Sequence, residues 1–277
     1  MRELLIRVKS LLRQKGGRVV YVALIVVGFM LITASARDIY SMSSEDASAR
    51  SEYDLLRDMF YTSPGFSGFM TDQPGTGPLD AGGADPRNAI LRQADSNRPN
   101  QAQPGALAEL MGINRDFVGW VSIEGTGVSY PVVRGGDNSY YLNTTFTGSR
   151  NPAGSIFMDY RLERGFNAPV CILYGHNMRD GSMFAQLNQY LDSAFMEEHQ
   201  DIRIITPEGH YLVYRVFDAR STDMWDTAYD VDLMEDSYAA ASNGASGGAG
   251  RFLLLSTCTP GADRSGRMLV YAALVQH

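Results

Sequence analysis

From residue 106 onward the chain divides into eight short apolar runs: "FVGWVSI", "VSYPVV", "GSIFMDY", "PVCILYG", "DIRIITP", "HYLVYRVFDA", "RFLLLST" and "MLVYAALV". They are rich in β-branched and aromatic residues, and turn residues such as "EGTG", "PEGH" and "TPGAD" separate them, which is the pattern of strands. Eight such runs in about 170 residues predict a mostly β fold, a closed and mainly antiparallel barrel. Two patches of helical character interrupt it, "SMFAQLNQYLDSAFMEEH" and "YDVDLMEDSYAAASN".

The first hundred residues have a different texture. Residues 1–18 carry four arginines and two lysines against Glu3 alone. "VVYVALIVVGFMLITASA", residues 19–36, is uncharged and rich in branched aliphatics. A bilayer core needs roughly 17–25 such residues, so this run is expected to be one N-terminal transmembrane helix. The basic head then stays in the cytoplasm and the body lies outside. A signal peptide cleaved at Ala34-Ser35-Ala36 is the rival, and it exports the body equally. Residues 43–61 read as a short helix with acidic residues near its start. Residues 62–105 are rich in Gly, Pro, Asp, Asn and Gln, as in a spacer. The expected organisation is a basic tail (1–18), an anchor (19–36), an extracellular helix and spacer (37–105) and a folded body (106–277).

The overall charge of −7 conceals a head of +5, so the remainder carries −12. An acidic body argues against nucleic acid as a partner, because phosphate binding needs a basic surface. The only lysines, Lys9 and Lys15, lie in the head.

Export leaves the two cysteines, Cys171 and Cys258, free to pair. A chain of this length can bury a core without that staple. Cys171 sits inside an apolar run, where a packed thiol is common. Cys258 ends a run just before Pro260 and Gly261, where the strand must stop. Among the histidines, His277 is terminal, His210 falls in a turn and His199 follows two glutamates at a helix end. His176 closes the run "PVCILYGH" at the start of a loop, where rigid scaffolds place chemistry. Its offset of five from Cys171 puts the two on opposite faces of one strand. Ser256, two residues before Cys258, shares a face with it. Arg267 begins the last run. If the intervening loop joins adjacent antiparallel strands, Arg267 can approach Cys258 and stabilise charge developing on a carbonyl. Arg264, in mid-loop, is expected to be solvated. No CxxC or HxxxH spacing suggests zinc.

At these residues the chain resembles a class B sortase, from about Asn114 to the C-terminus. The resemblance rests on "NRDFVGWVSIEGTGVSYPVV", "DNSYYLNTTF", "GSIFMDYR", "YGHNMRDGSMFAQL", "LLLSTC" and "RMLV", in family order. It implies an eight-stranded sortase-type barrel with peripheral helices and a catalytic set of Cys258, His176 and Arg267. It also implies substrate contacts by Asn138, Leu142, Tyr174 and Ser256. The activity implied is that of a membrane-anchored cysteine transpeptidase of Gram-positive cell walls. Such an enzyme cleaves a C-terminal sorting signal after Thr and joins the thioacyl intermediate to a peptidoglycan-precursor amine. The implied partners are surface proteins with an NPxTN-like or NPxTG-like signal, and no metal or nucleotide cofactor is needed. The long spacer and "TCTPGADRSGR" depart from the family pattern.

Three rivals stand beside this reading. One is a pilin-polymerising sortase with a Lys acceptor. Another is an exported papain-like cysteine peptidase, although there Cys precedes His in the chain. The last is a binding module stapled by a Cys171–Cys258 disulfide.

Overall fold

Each of the eight runs corresponds to one strand, with β6, β7 and β8 extending beyond theirs. They are β1 (Phe117–Ile123), β2 (Ser129–Val133), β3 (Ile156–Met158), β4 (Val170–Tyr174), β5 (Asp201–Ile205), β6 (Tyr211–Asp223), β7 (Phe252–Cys258) and β8 (Gly266–Gln276). In this computed structural model, residues 17–62, 104–234, 250–259 and 265–276 are described. The strands close into a barrel in the order β1-β2-β3-β4-β7-β8-β6-β5.

Six of the neighbouring pairs are antiparallel, but β2–β3 and β4–β7 run parallel. Parallel neighbours need a long crossover. The β2–β3 connection fills residues 134–155, and the one from β4 to β7 carries β5 and β6. The pairing of β4 with β7 matters most, because it brings two distant strand ends to one edge of the barrel.

The first helix, α1 (Gly17–Thr62), is longer than the sequence pattern suggested. It runs unbroken through the apolar run and the acidic segment expected to be a separate short helix. Residues 29–62 contain neither Gly nor Pro, so nothing in them ends the helix. The chain forms two compact units, Met1–Ser48 and Ala49–His277. In the first, no helix among the described residues is long and apolar enough to cross a membrane. The side chains of Val19, Val20, Val22, Ala23 and Ala36 lie outside the described set.

In the second unit, Ala49, Tyr53, Leu56 and Phe60 fall on one helical face and are buried, while Leu55 between them is exposed. Phe60 stacks on Trp120 of β1 with centroids 4.0 Å apart. The Tyr53 hydroxyl donates to the Gly154 carbonyl at 2.6 Å. A shorter helix, α2 (Pro104–Ile113), begins on proline, whose fixed φ suits a first helical position. It buries Ala106, Leu107 and Leu110.

The patch "SMFAQLNQYLDSAFMEEH" breaks in two. A 3-10 segment covers Ala185–Leu191, and α3 (Ser193–Glu198) starts afresh because the Asp192 carboxylate caps it, accepting from the Ala194 N–H at 2.9 Å. Of the second patch, Tyr229 closes a 3-10 turn, residues 231–234 are helical and residues 235–243 fall outside the described residues, as does 63–103 of the expected spacer.

Candidate active site

The site is built where β4, β7 and β8 end together. Tyr174, the last residue of β4, pairs with Ser256 of β7. Two residues on, Cys258 ends β7 and pairs directly with Arg267 of β8. Residues opposite one another in an antiparallel ladder have Cβ atoms about 4.5–5.5 Å apart on the same face. Main-chain register therefore sets the thiol beside the guanidinium. The Arg267 Nη1 donates to the Ser265 and Gly266 carbonyls at 3.2 and 2.9 Å, which steadies its head group.

His176 follows β4 by two residues. The ladder extends to Gly175, whose N–H donates to the Ser256 carbonyl at 3.1 Å. Gly175 is required here for space. A Cβ on it would stand 2.5 Å from Ile156 Cδ1 and 2.7 Å from the Phe184 ring. His176 Nε2 lies 2.8 Å from the Leu142 carbonyl. A carbonyl only accepts, so Nε2 carries the proton, and in the neutral ring Nδ1 is the basic nitrogen. The next residue ties this loop to the end of β7, since Asn177 Nδ2 donates to the Cys258 carbonyl at 2.9 Å. The loop closes on itself through Phe184 N–H to the His176 carbonyl, at 2.9 Å.

Cys258, His176 and Arg267 all line one cavity of about 460 Å³. So do the four residues expected to touch substrate, Asn138, Leu142, Tyr174 and Ser256. The structure thus brings together every site residue expected from sequence. Cys171 is excluded from it. Its side chain is fully buried, its thiol donates to the Gly165 carbonyl at 3.1 Å, and both cysteines are free, which removes the disulfide rival. His199 caps α3, with Nδ1 2.8 Å from the Glu124 carbonyl, and His210 is exposed beyond β5. Arg264 and His277 lie outside the described residues. Among the described residues no three His, Cys, Asp or Glu side chains gather to hold a metal ion.

Sequence reasoning missed a second set. Arg161 and Tyr229 also line the cavity, and Asp159 lies fully buried behind it. Tyr229 shares a 2.8 Å hydrogen bond with Ser256 Oγ, and its ring stacks on Tyr174 at 6.2 Å. Burial alone would push the Asp159 carboxyl up. Hydrogen bonds from the Arg161 side chain and N–H, Asn138 and Tyr174 outweigh it and hold the group below the ordinary value. The Tyr174 hydroxyl is pushed up by burial and by the Asp159 charge it faces. Arg161 is raised in turn by its bond to Asp159. The one available signal was the "MDYR" of the third run, where an acid and an arginine two apart end a strand.

The geometry gathers a cysteine, a histidine and an arginine around one cavity at the edge of a closed barrel, and comparison with known proteins gives the family. A family model described as the sortase domain matches residues 121–275. Sortase B of Listeria monocytogenes is 32% identical over 203 residues, 69% of this chain and 82% of that protein. The Staphylococcus aureus sortase B–substrate complex superposes with a TM-score of 0.59 at 25% identity, covering 84% of this chain and 99% of the other. A Streptococcus pyogenes class B sortase involved in pilus biogenesis gives 0.55 at 26% identity, covering 61% and 97%. The chain belongs to the sortase family of cysteine transpeptidases and groups with its class B members.

Proposed function

We propose that the chain is a membrane-anchored transpeptidase that joins surface proteins to an amine of the cell wall, with Cys258 as nucleophile, His176 as acid and base and Arg267 as oxyanion partner. The observation that carries this reading is the direct pairing of Cys258 with Arg267 at the mouth of a cavity that His176 also lines.

The steps follow from the groups present. The Cys258 thiol gives its proton to His176, and the thiolate attacks the carbonyl carbon of a threonine in the sorting signal. As the C–S bond forms, negative charge gathers on the carbonyl oxygen. The Arg267 guanidinium, two of whose donor directions are already fixed by backbone carbonyls, stabilises that charge. The C–N bond breaks and the leaving amine takes the proton from His176. The thioester is then attacked by an incoming amine, whose proton passes to His176. The C–S bond breaks, the new amide leaves, and the thiol is restored.

The anchor part of this reading rests on the uncharged run of residues 19–36, several of whose side chains lie outside the described set, and on the exposure of the rest. Leu24, Ile25, Phe29, Met30, Leu31 and Ile32 are each more than half exposed, an apolar surface that soluble monomers rarely present to water. The basic head supports a cytoplasmic N-terminus and an exported body.

The test uses the full chain in lipid vesicles with a peptide carrying an NPxTN-type signal. Mass spectrometry should find an acyl group on Cys258, and added pentaglycine or a diaminopimelate-type amine should speed turnover. Cleavage equally fast with and without amine would mean a peptidase instead. The likeness to a class B sortase involved in pilus biogenesis favours one second reading, a pilin-joining enzyme. That reading expects a lysine-bearing pilin segment to outcompete both wall amines as acceptor.

A further inference from the structure

Among the described residues Asp159 is the one acid with a buried side chain, and the reaction scheme gives it no part. A lone buried carboxylate is costly, and a paired one contributes little net stability over apolar packing. Its partners are therefore the informative feature. Oδ1 accepts from Arg161 Nε at 2.9 Å and from the Arg161 N–H at 3.1 Å. Oδ2 accepts from Arg161 Nη2 at 2.8 Å, Asn138 Nδ2 at 2.9 Å and the Tyr174 hydroxyl at 2.9 Å. Asn138, Arg161 and Tyr174 come from three separate segments of chain, and all three line the cavity.

These bonds determine what each side chain has left to offer. Tyr174 has a single hydroxyl proton and gives it to Asp159, so toward the cavity it can only accept. Asn138 places one Nδ2 proton on Asp159, and its Oδ1 accepts from the Tyr160 N–H at 3.0 Å. One amide N–H remains. Arg161 uses Nε and Nη2 on Asp159, with Nη2 also reaching the Tyr229 carbonyl at 2.9 Å, which leaves Nη1.

We propose that Asp159 is a positioning residue for peptide recognition: by drawing one or more protons from each of these three side chains, it fixes a cavity wall that offers three N–H donors on two nitrogens, and one acceptor. That set matches an extended peptide bearing amide groups, each with a carbonyl to accept and an N–H to donate. The inference rests on the transpeptidase reading above and specifies how its sorting signal is held.

The experiment compares the full wild-type chain with Asp159→Asn on a fluorogenic NPxTN-type peptide. Asparagine keeps the shape but turns an N–H toward three donors. The KM for peptide should rise by at least about tenfold, the order expected when buried donors lose an ionised acceptor. Alkylation of Cys258 by iodoacetamide, which needs no peptide recognition, should keep its wild-type rate. Loss of both together would mean a merely structural role and would overturn the proposal. So would an unchanged KM. Asp159→Asn combined with Tyr174→Phe should be no worse than Asp159→Asn alone, whereas losses that multiply would overturn it. If Asp159→Asn does not fold, Asn138→Ala and Tyr174→Phe replace it, singly and together. A combined KM effect smaller than the product supports a shared organiser, and a full product overturns it. Wild-type chain that acylates Cys258 with no sorting peptide would overturn the transpeptidase reading and this inference with it. Normal wild-type turnover with an unaffected Asp159→Asn would overturn this inference alone.

Discussion

Cys258 and Arg267 are placed by main-chain register, whereas Asn138, Arg161 and Tyr174 are placed by one buried carboxylate. The first arrangement is hard to disturb, because strand pairing is distributed over the whole of β7 and β8. A substitution there changes the reacting group and leaves the scaffold. The second depends on a single residue, so one change alters three side chains together. The difference separates the two tasks of such a site. In the proposed function, reaction geometry rests on the ladder, and recognition rests on a side-chain hub.

The sharpest way to break this division is at the reacting atoms. Cys258→Ala should abolish acyl-enzyme formation by mass spectrometry, while Cys171→Ala keeps activity and lowers stability by about 1 kcal/mol in denaturant titration. The reverse pattern would refute the assignment of the nucleophile. Next comes the oxyanion partner. Arg267→Ala should lower kcat by about a hundredfold or more with little change in KM, read from steady-state kinetics. Arg267→Lys should recover only part of it, since an ammonium cannot reproduce the planar fork.

A smaller loss is expected at Gly175→Ala. The added methyl meets Ile156 and Phe184, so the chain must shift where His176 begins its loop. A displacement of about 1 Å at a catalytic group can cost up to about a hundredfold, and partial relaxation should leave the kcat loss below that limit. Pre-steady-state acylation would register it.

The hub should show itself through pH. The Asp159 carboxyl is held below its ordinary value when folded. Its contribution to stability is therefore complete above about pH 4 and fades as pH falls through the lower folded value. The wild-type Tm should drop more steeply below about pH 4 than that of Asp159→Asn, and parallel curves in that range would contradict it. The smallest effect is expected outside both walls. Arg50 and Asp180 pair at 2.6 Å on an accessible surface, so Arg50→Ala should change stability by less than about 1 kcal/mol.

The barrel and the pairing of Cys258 with Arg267 were legible in sequence for the same reason that they are robust. Strand pattern is periodic, so "RFLLLST" and "RMLV" revealed their ends, and strand parity separated Cys258 from Cys171. The hub was not legible, because nothing in a linear pattern shows that Asp159, Asn138 and Tyr174 converge. That depends on crossovers, here the parallel β2–β3 and β4–β7 pairs that an expectation of antiparallel neighbours did not resolve. The extent of α1 was also missed. A composition boundary at the end of the apolar run resembled an element boundary, although no helix breaker stood there.

The parallel pairing of β4 with β7 also governs when the site can exist. Cys258 lies 82 residues after His176, and its sheet neighbour β8 follows it in sequence. A chain made N-terminus first thus carries its histidine long before its nucleophile. Arg267 is missing from the site until β8 has emerged and β7 is enclosed between β4 and β8. Contacts between segments so far apart form late, because the loop must close before any pairing offsets its entropy. The proposed activity is thereby tied to β8: a chain that stops short of it has a thiol and no guanidinium beside it.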